Sequence, residues 1–267
     1  MDPGPNGFAG SPPIRGLGRH YELELRVGGE IDPATGYLVN IKDLDQAARE
    51  AAISLIARAC EERPQTQPAA LMPELVAGIE RALRPRAPRA TVLGVRWGLT
   101  PYHSVEMAPT KPTEALLRQR FDLSASHRLH AAGLSDEENR RLYGKCNNPS
   151  GHGHNYQFEP CVAVRIPGPG VPLVGSSGPT SAEAPFTLDT LERLAEDRII
   201  RRFDHKNFNI DTPEFGGASG VNPSVENIAR VFFELLEPGV REAGGGGANL
   251  RSLTVWETDR TSATYPG

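Results

Sequence analysis

The chain has 267 residues, and its 29 basic and 33 acidic side chains give a formal net charge of −4. This balance gives no support for nucleic-acid binding as the main task, which normally shows as a basic face. No stretch approaches the roughly 20 apolar residues of a membrane span, and the N-terminus lacks the basic start and apolar run of a secretory signal. Three cysteines are too few for a disulfide framework, so we expect a cytoplasmic protein without a membrane or nucleic-acid partner.

The first half of the chain predicts a strand, two helices and a β-hairpin, in that order. Apolar residues alternate over residues 16–27, which is typical of a strand. Helical spacing follows over 43–60 and 73–83, and 90–107 has the pattern of a hairpin. A Pro- and Thr-rich segment at 107–115 then marks a boundary.

The second half repeats this order and adds a strand before it. We predict strands over 116–130 and 151–164, helices over 187–203 and 223–236, and a hairpin over 250–265. Asn222 and Pro223 suit the N-cap and first turn of the second helix. Residues 166–185 and 242–249 are rich in small residues and proline and are predicted loops. The sequence therefore predicts an α+β unit used twice, with the first strand missing from the first unit.

Five of the seven histidines lie between His127 and His205. On a strand, the spacing of His152 and His154 puts both imidazoles on one face. His127, on the preceding predicted strand, can point to the same place. Three neutral imidazoles leave one open position on a tetrahedral Zn²⁺, as in catalytic sites. The alternative is a solvated turn at His152 and His154, with His127 on the surface.

Cys146 lies six residues before His152. A thiol near a divalent cation and Lys145 would have a lowered pKa and could act as a base or nucleophile. The alternative is a small buried apolar residue, which suits Cys161 better.

Two further acidic positions could carry chemistry. Asp204 and His205 form an adjacent carboxylate and imidazole, although neighbours on a strand point to opposite faces. The pair alone is more typical of a polar loop.

Glu257 lies on an apolar strand. If it faces inward it needs a partner, such as a ligand with two parallel N–H donors. The alternative is an ordinary acid on an edge strand.

Together and in this order, five segments closely resemble the motifs of the 6-pyruvoyl-tetrahydropterin synthase family: FDLSASHRL, YGKCNNPSGHGHNY, FDHKNFN, PSVENIA and VWETD. The resemblance covers about 120–267. It implies the tunnelling fold, a four-stranded antiparallel sheet with two helices on one face, whose units form barrels through their sheets with active sites between neighbours. We therefore expect a homo-oligomer built from tandem units: a degenerate unit at 1–109, a linker at 110–119 and a catalytic unit at 120–267.

The resemblance also implies roles for single residues. The zinc ligands would be His127, His152 and His154. Cys146 would be the catalytic thiol, assisted in proton transfer by Asp204 and His205. Glu257 would anchor the pterin ring, and Ser224 would place a hydroxyl near the pterin. In the first unit, Leu17 and Arg19 occupy the positions of the strand histidines, and Trp97 occupies that of the glutamate. We therefore expect no zinc site there.

Members of this family share the substrate 7,8-dihydroneopterin triphosphate. One group forms 6-pyruvoyl-tetrahydropterin, and the other forms 6-carboxy-tetrahydropterin and acetaldehyde. In the group that forms 6-pyruvoyl-tetrahydropterin, five residues separate the thiol from the first histidine of HGH, whereas the other group typically has three. In this sequence five residues separate Cys146 from His152. The spacing favours the pyruvoyl product. A 6-carboxy-tetrahydropterin synthase, a non-catalytic pterin-binding subunit and a generic three-histidine zinc hydrolase remain open alternatives.

Overall fold

The computed structural model describes residues 21–166, 186–217 and 219–266. These divide into two compact units. The first holds the described residues up to Ala115 together with Ile166, and the second holds Leu116–Arg165 and the described residues from 186 onward. Most of the predicted loop at 166–185 lies outside the described residues, as do Leu17 and Arg19. Among the helices that the structure describes, none has the length and apolar character needed to cross a membrane.

The first unit consists of β1 (Glu22–Gly29), α1 (Ile41–Glu62), α2 (Pro68–Leu83), β2 (Ala90–Gly98) and β3 (His103–Met107). Strand β2 pairs antiparallel with both β1 and β3. Alternate residues of β2, such as Val95 and Trp97, are buried, and so are Leu75 and Ile79 of α2. The predicted strand, helix, helix and hairpin are therefore all present.

Helix α2 begins five residues earlier than the predicted residue 73. Pro68 occupies its first turn, where a missing N–H costs no hydrogen bond. Leu71 and Met72 extend the buried apolar face upstream. This burial explains why the helix continues through Pro73, which we had predicted as its start.

The remaining elements, listed here in chain order, belong to the second unit, apart from Glu114 and Ala115, which fall in the first unit. They are β4 (Glu114–Gln119), β5 (Phe121–His127), α3 (Asp136–Tyr143), a 3₁₀ turn (Gly144–Asn147), β6 (His152–Arg165), α4 (Leu188–Ala195), a π-helical turn (Glu196–Ile200), α5 (Arg201–Phe203), β7 (Lys206–Asn207), α6 (Phe208–Asp211), α7 (Val225–Gly244), β8 (Ala248–Thr258) and β9 (Thr261–Pro266). Strand β4 thus occupies part of the segment expected to be a linker. The alternate residues Ala115 and Leu117 are buried, which explains why the segment is extended.

Strand β6 is the centre of this unit's sheet. It pairs with β4 and β5 on one side and with β8 on the other, and β9 pairs with β8. The pairings of β6 with β5 and β8, and of β8 with β9, are antiparallel, so the expected combination of an antiparallel sheet with helices is confirmed. Phe158 of β6 packs against Phe232 of α7, with ring centroids 5.6 Å apart. The face of β6 that carries Phe158 is therefore the face covered by α7.

Both ends of α7 differ from the prediction. Its N-cap is Ser224, whose hydroxyl accepts a hydrogen bond from Asn227 N, whereas the Asn222 side chain bonds His130 N and Tyr143 Oη. The helix runs to Gly244 and stops at Gly245, which has the left-handed φ of 51°. Strand β8 begins at Ala248, so the predicted loop at 242–249 shrinks to three residues.

Candidate active site

The register of β5 and β6 brings the three predicted histidines together. His127 is directly opposite His152, and Ala125 is opposite His154. Because alternate residues of a strand share a face, all three imidazoles lie on the same side of the sheet. The Nε2 atoms of His127 and His152 are 3.1 Å apart, and the rings of His152 and His154 have centroids 4.8 Å apart. The alternative of a solvated turn at His152 and His154 is therefore excluded.

Glu257 of β8 joins this histidine cluster. Its Oε1 lies 3.2 Å from His127 Nε2 and 3.4 Å from His154 Nε2. The four potential ligand atoms all lie within 4.8 Å of one another. Donors bound to a tetrahedral Zn²⁺ at 2.0–2.1 Å are about 3.3 Å apart, close to the 3.1 Å between His127 and His152 and to the 3.2 and 3.4 Å from Glu257 to His127 and His154. The histidines and Glu257 can therefore hold a metal ion, and no other cluster of this kind occurs in the part of the chain that the structure describes.

The orientation of His127 is set by a backbone carbonyl. Its Nδ1 lies 2.7 Å from the oxygen of Pro223, and since a carbonyl only accepts, Nδ1 donates. Nε2 then donates to Glu257 when the imidazole is protonated, and it presents its lone pair to a metal ion when the imidazole is neutral. Pro223 directly precedes the N-cap of α7, so the start of this helix positions the ligand.

Burial and charge favour the metal-binding protonation states. Burial lowers the pKa of His152, and the charges of His127 and His154 add to this effect. Burial also lowers the pKa of His154, although the charge of Glu257 opposes it. The hydrogen bond with His127 holds the pKa of Glu257 below its ordinary value, although burial opposes this. His154 Nε2 is buried without a hydrogen-bond partner among the described residues. At neutral pH His152 and His154 are therefore neutral and Glu257 is a carboxylate, a donor set that suits a divalent cation.

Cys146 lies in the turn Gly144–Asn147 and is partly buried. Its carbonyl accepts a hydrogen bond from Leu129 N, which ties this turn to the residues that follow β5. Burial, and after it the charge of Glu257, raises the pKa of the Cys146 thiol. The lowering expected from a divalent cation and Lys145 is therefore not produced by the protein groups alone. A divalent cation bound by the histidines is the charge that acts in the opposite direction.

Asp204 and His205 form a hydrogen-bonded pair, contrary to the expectation for neighbours on a strand. His205 has a φ of 56°, and its Nδ1 lies 2.8 Å from Asp204 Oδ2. Ser124 of β5 anchors the pair: its N–H donates to Asp204 Oδ1, and its carbonyl accepts from His205 N. Burial acts to raise the pKa of Asp204, but the hydrogen bonds from Ser124 and His205 outweigh it and lower the pKa. His205 lines a cleft that His154 also lines, and its side chain is 81% exposed.

Tyr156 was not among the predicted site residues. It follows His154 by two positions on β6, and therefore lies on the same face, which is the sequence signal that pointed to it. It is fully buried, and its hydroxyl has no hydrogen-bond partner among the described residues. Burial, and then the charges of Glu257 and Cys146, raises the pKa of Tyr156.

Comparison with known proteins gives matches to the second unit. The family model described as 6-pyruvoyl tetrahydropterin synthase matches residues 116–267. The 6-pyruvoyl tetrahydrobiopterin synthase of Homo sapiens is 37% identical over 154 residues, which cover 58% of this chain and 92% of the relative. That of Drosophila melanogaster is 38% identical over 155 residues, covering 57% and 80%. The solved structure of Caenorhabditis elegans 6-pyruvoyl tetrahydropterin synthase has 30% identity and a TM-score of 0.45, covering 58% of this chain and 96% of that one.

Proposed function

Because the chain belongs to the 6-pyruvoyl tetrahydropterin synthase family, we propose that it is a zinc-dependent lyase acting on 7,8-dihydroneopterin triphosphate. The reaction yields 6-pyruvoyl-tetrahydropterin and triphosphate. Oxidation of the side chain is balanced by reduction of the ring C=N bond, so no external oxidant or reductant is required. The observation that carries the proposal is the meeting of His127, His152 and His154 with Glu257 at a site where their donor atoms lie within 4.8 Å of one another.

Three histidines would hold the metal, which leaves one position open in a tetrahedral site. Zinc bound there supplies Lewis acidity to the side-chain hydroxyls and so acidifies the adjacent C–H. Cys146 is the residue that accepts this proton. Its thiol is close enough to Glu257 for that carboxylate to shift its pKa.

Two other groups would complete the reaction. Glu257 accepts hydrogen bonds from the N–H groups of the pterin ring and so fixes the reacting carbon. The pair of Asp204 and His205 moves a second proton as triphosphate leaves, from the cleft that His154 also lines. Ser224 is proposed as a pterin contact, although its hydroxyl also caps α7.

The spacing between Cys146 and His152 favours the pyruvoyl product, and the names of the curated relatives agree with it. The test is product analysis after incubation of the zinc-loaded protein with 7,8-dihydroneopterin triphosphate. We expect 6-pyruvoyl-tetrahydropterin and no acetaldehyde. Release of acetaldehyde would instead identify a 6-carboxy-tetrahydropterin synthase, and substrate binding without turnover would identify a pterin-binding subunit.

We further propose that residues 1–109 are a degenerate tunnelling-fold unit, joined through 110–119 to the catalytic unit at 120–267. Two helices and an antiparallel sheet in the first unit support this assignment. Copies would associate through sheet edges into a barrel, since β9 pairs only with β8 among the described strands. Deletion of residues 1–109 should then change the oligomer measured by light scattering. An intact, fully active oligomer after deletion argues against this role.

A further inference from the structure

A second cleft, the Arg128 cleft, lies next to the one that His154 and His205 line. It has a volume of about 550 Å³, and its walls include Arg128, Gly151 and Asn207. Arg128 directly follows His127, and Gly151 directly precedes His152. Asn207 lines both clefts, so the two are adjacent. Small-molecule sites usually have volumes of about 300–1,000 Å³, and the Arg128 cleft falls in this range.

The Arg128 cleft contains a positive charge that no carboxylate neutralises. None of the described residues that line it is acidic, and Asp211, which accepts a hydrogen bond from Asn207 N, is not among them. Arg128 donates from Nε to the carbonyl oxygen of Asn147 at 3.1 Å and from Nη2 to its side-chain oxygen at 3.3 Å. These bonds fix the guanidinium but leave its charge, since Asn147 is neutral. Arg128 forms no ion pair with any residue that the structure describes.

His130 and Asn207 add hydrogen-bond donors to the same cleft. His130 Nδ1 lies 3.1 Å from Asn147 Nδ2 and 3.3 Å from Arg128 Nη2, and both of these nitrogens only donate. Nδ1 therefore accepts, and the ring proton is on Nε2. The side-chain oxygen of Asn207 accepts from Asn209 N, which leaves its amide N–H groups as donors. A fixed guanidinium with neutral donors and no acidic neighbour favours an anion.

We propose that the Arg128 cleft binds the triphosphate of the substrate while the pterin lies at the histidine cluster. This inference rests on the proposed function. A triphosphate carries several negative charges, and the planar guanidinium matches the geometry of phosphate oxygens. Arg128 is thus a substrate-binding residue, and His130 and Asn207 complete the subsite. The cleft therefore selects the phosphorylated pterin over the free one.

The test compares two ligands that differ only in the triphosphate, using the zinc-loaded full chain. The KM for 7,8-dihydroneopterin triphosphate and the inhibition constant of 7,8-dihydroneopterin are measured in the same assay. For Arg128→Gln we expect KM to rise about tenfold or more, the usual effect of losing a hydrogen bond to a charged group. The inhibition constant and the zinc content should stay unchanged, because the free pterin does not reach the Arg128 cleft.

Two companion variants make the result decisive. His130→Asn removes the Nε2 donor and keeps an acceptor near the Nδ1 position, so KM should again rise alone; it decides the question if Arg128→Gln does not fold. Arg198→Gln removes one positive charge from an exposed position outside both clefts and should change neither constant.

Three outcomes overturn this inference alone. They are an unchanged KM in Arg128→Gln, an equal rise of KM and the inhibition constant, and a matching rise of KM in Arg198→Gln. A wild type that shows no turnover overturns the proposed function, and this inference with it.

Discussion

Glu257 Oε1 lies 3.2 Å from His127 Nε2, so the carboxylate expected to anchor the pterin ring stands at the edge of the candidate metal centre. His154 Nε2 lies 3.4 Å from the same carboxylate oxygen. The sequence predicted that an inward-facing Glu257 needs a partner, and these imidazoles provide one. Two roles follow for the carboxylate, as a fourth metal ligand or as the acceptor for the ring.

Replacement of this carboxylate separates the two roles. Glu257→Gln should keep its zinc, because three histidines suffice, while the affinity for pterin falls about 10- to 100-fold with the loss of charge-assisted hydrogen bonds. Zinc content by mass spectrometry and pterin affinity by calorimetry measure both effects. Asp259→Asn, an exposed site two residues away, serves as the control. Loss of zinc in Glu257→Gln would show that the glutamate is a ligand.

Removal of one imidazole should empty the metal centre. His152→Ala leaves two histidines, so we expect a zinc content well below one ion per chain and no turnover. The wild type should bind one ion per chain, since the described part of the first unit has no comparable cluster. His205→Ala, which removes an exposed imidazole outside the cluster, should retain zinc. Full zinc occupancy in His152→Ala contradicts the ligand assignment.

The role of Cys146 is tested by a substitution that removes only its thiol. Cys146→Ala should bind zinc and pterin as the wild type does, because the thiol is placed outside the ligand set. Turnover should fall about 10²- to 10⁴-fold, the usual effect of losing a general base. Steady-state kinetics with matched zinc content measure this, and near-normal turnover is the outcome that rejects the role.

The contribution of Asp204 to stability should depend on pH. Its pKa lies below the ordinary 3.8, so the folded state favours the carboxylate over the acid. The stabilisation is therefore fully present above about pH 5 and is lost as the pH falls through the folded-state pKa. The difference in unfolding temperature between wild type and Asp204→Asn should shrink as the pH falls from 5 to below 4. A difference that grows in acid contradicts the hydrogen-bond arrangement.

Local periodicity was sufficient to predict the core of the site. The alternation of β6 fixes His152 and His154 on one face whatever surrounds the strand, and the same rule applies to Tyr156. Strand pairing with β5 then brings His127 opposite His152. Such features depend on backbone geometry that every strand shares.

Tertiary contacts decided the features that the sequence did not predict. Asn222 was expected to cap α7, but its side chain is occupied by His130 and Tyr143, and Ser224 takes that role. The positive φ of His205 accompanies the hydrogen bonds of Ser124 with both members of the acid–imidazole pair. Pro223 contributes only its backbone carbonyl to the site. Because every residue has such a carbonyl, the sequence gives no sign of this contact.

The most direct test of the proposed function is the metal-dependent release of triphosphate from 7,8-dihydroneopterin triphosphate by the full chain. Triphosphate is quantified by ion chromatography before and after treatment with a chelator, and again after addition of Zn²⁺. We predict release by the zinc-loaded protein, its loss after chelation and its recovery with Zn²⁺, with no recovery in His152→Ala. Release that is unaffected by chelation, or the absence of release from the zinc-loaded wild type, would contradict the proposed function.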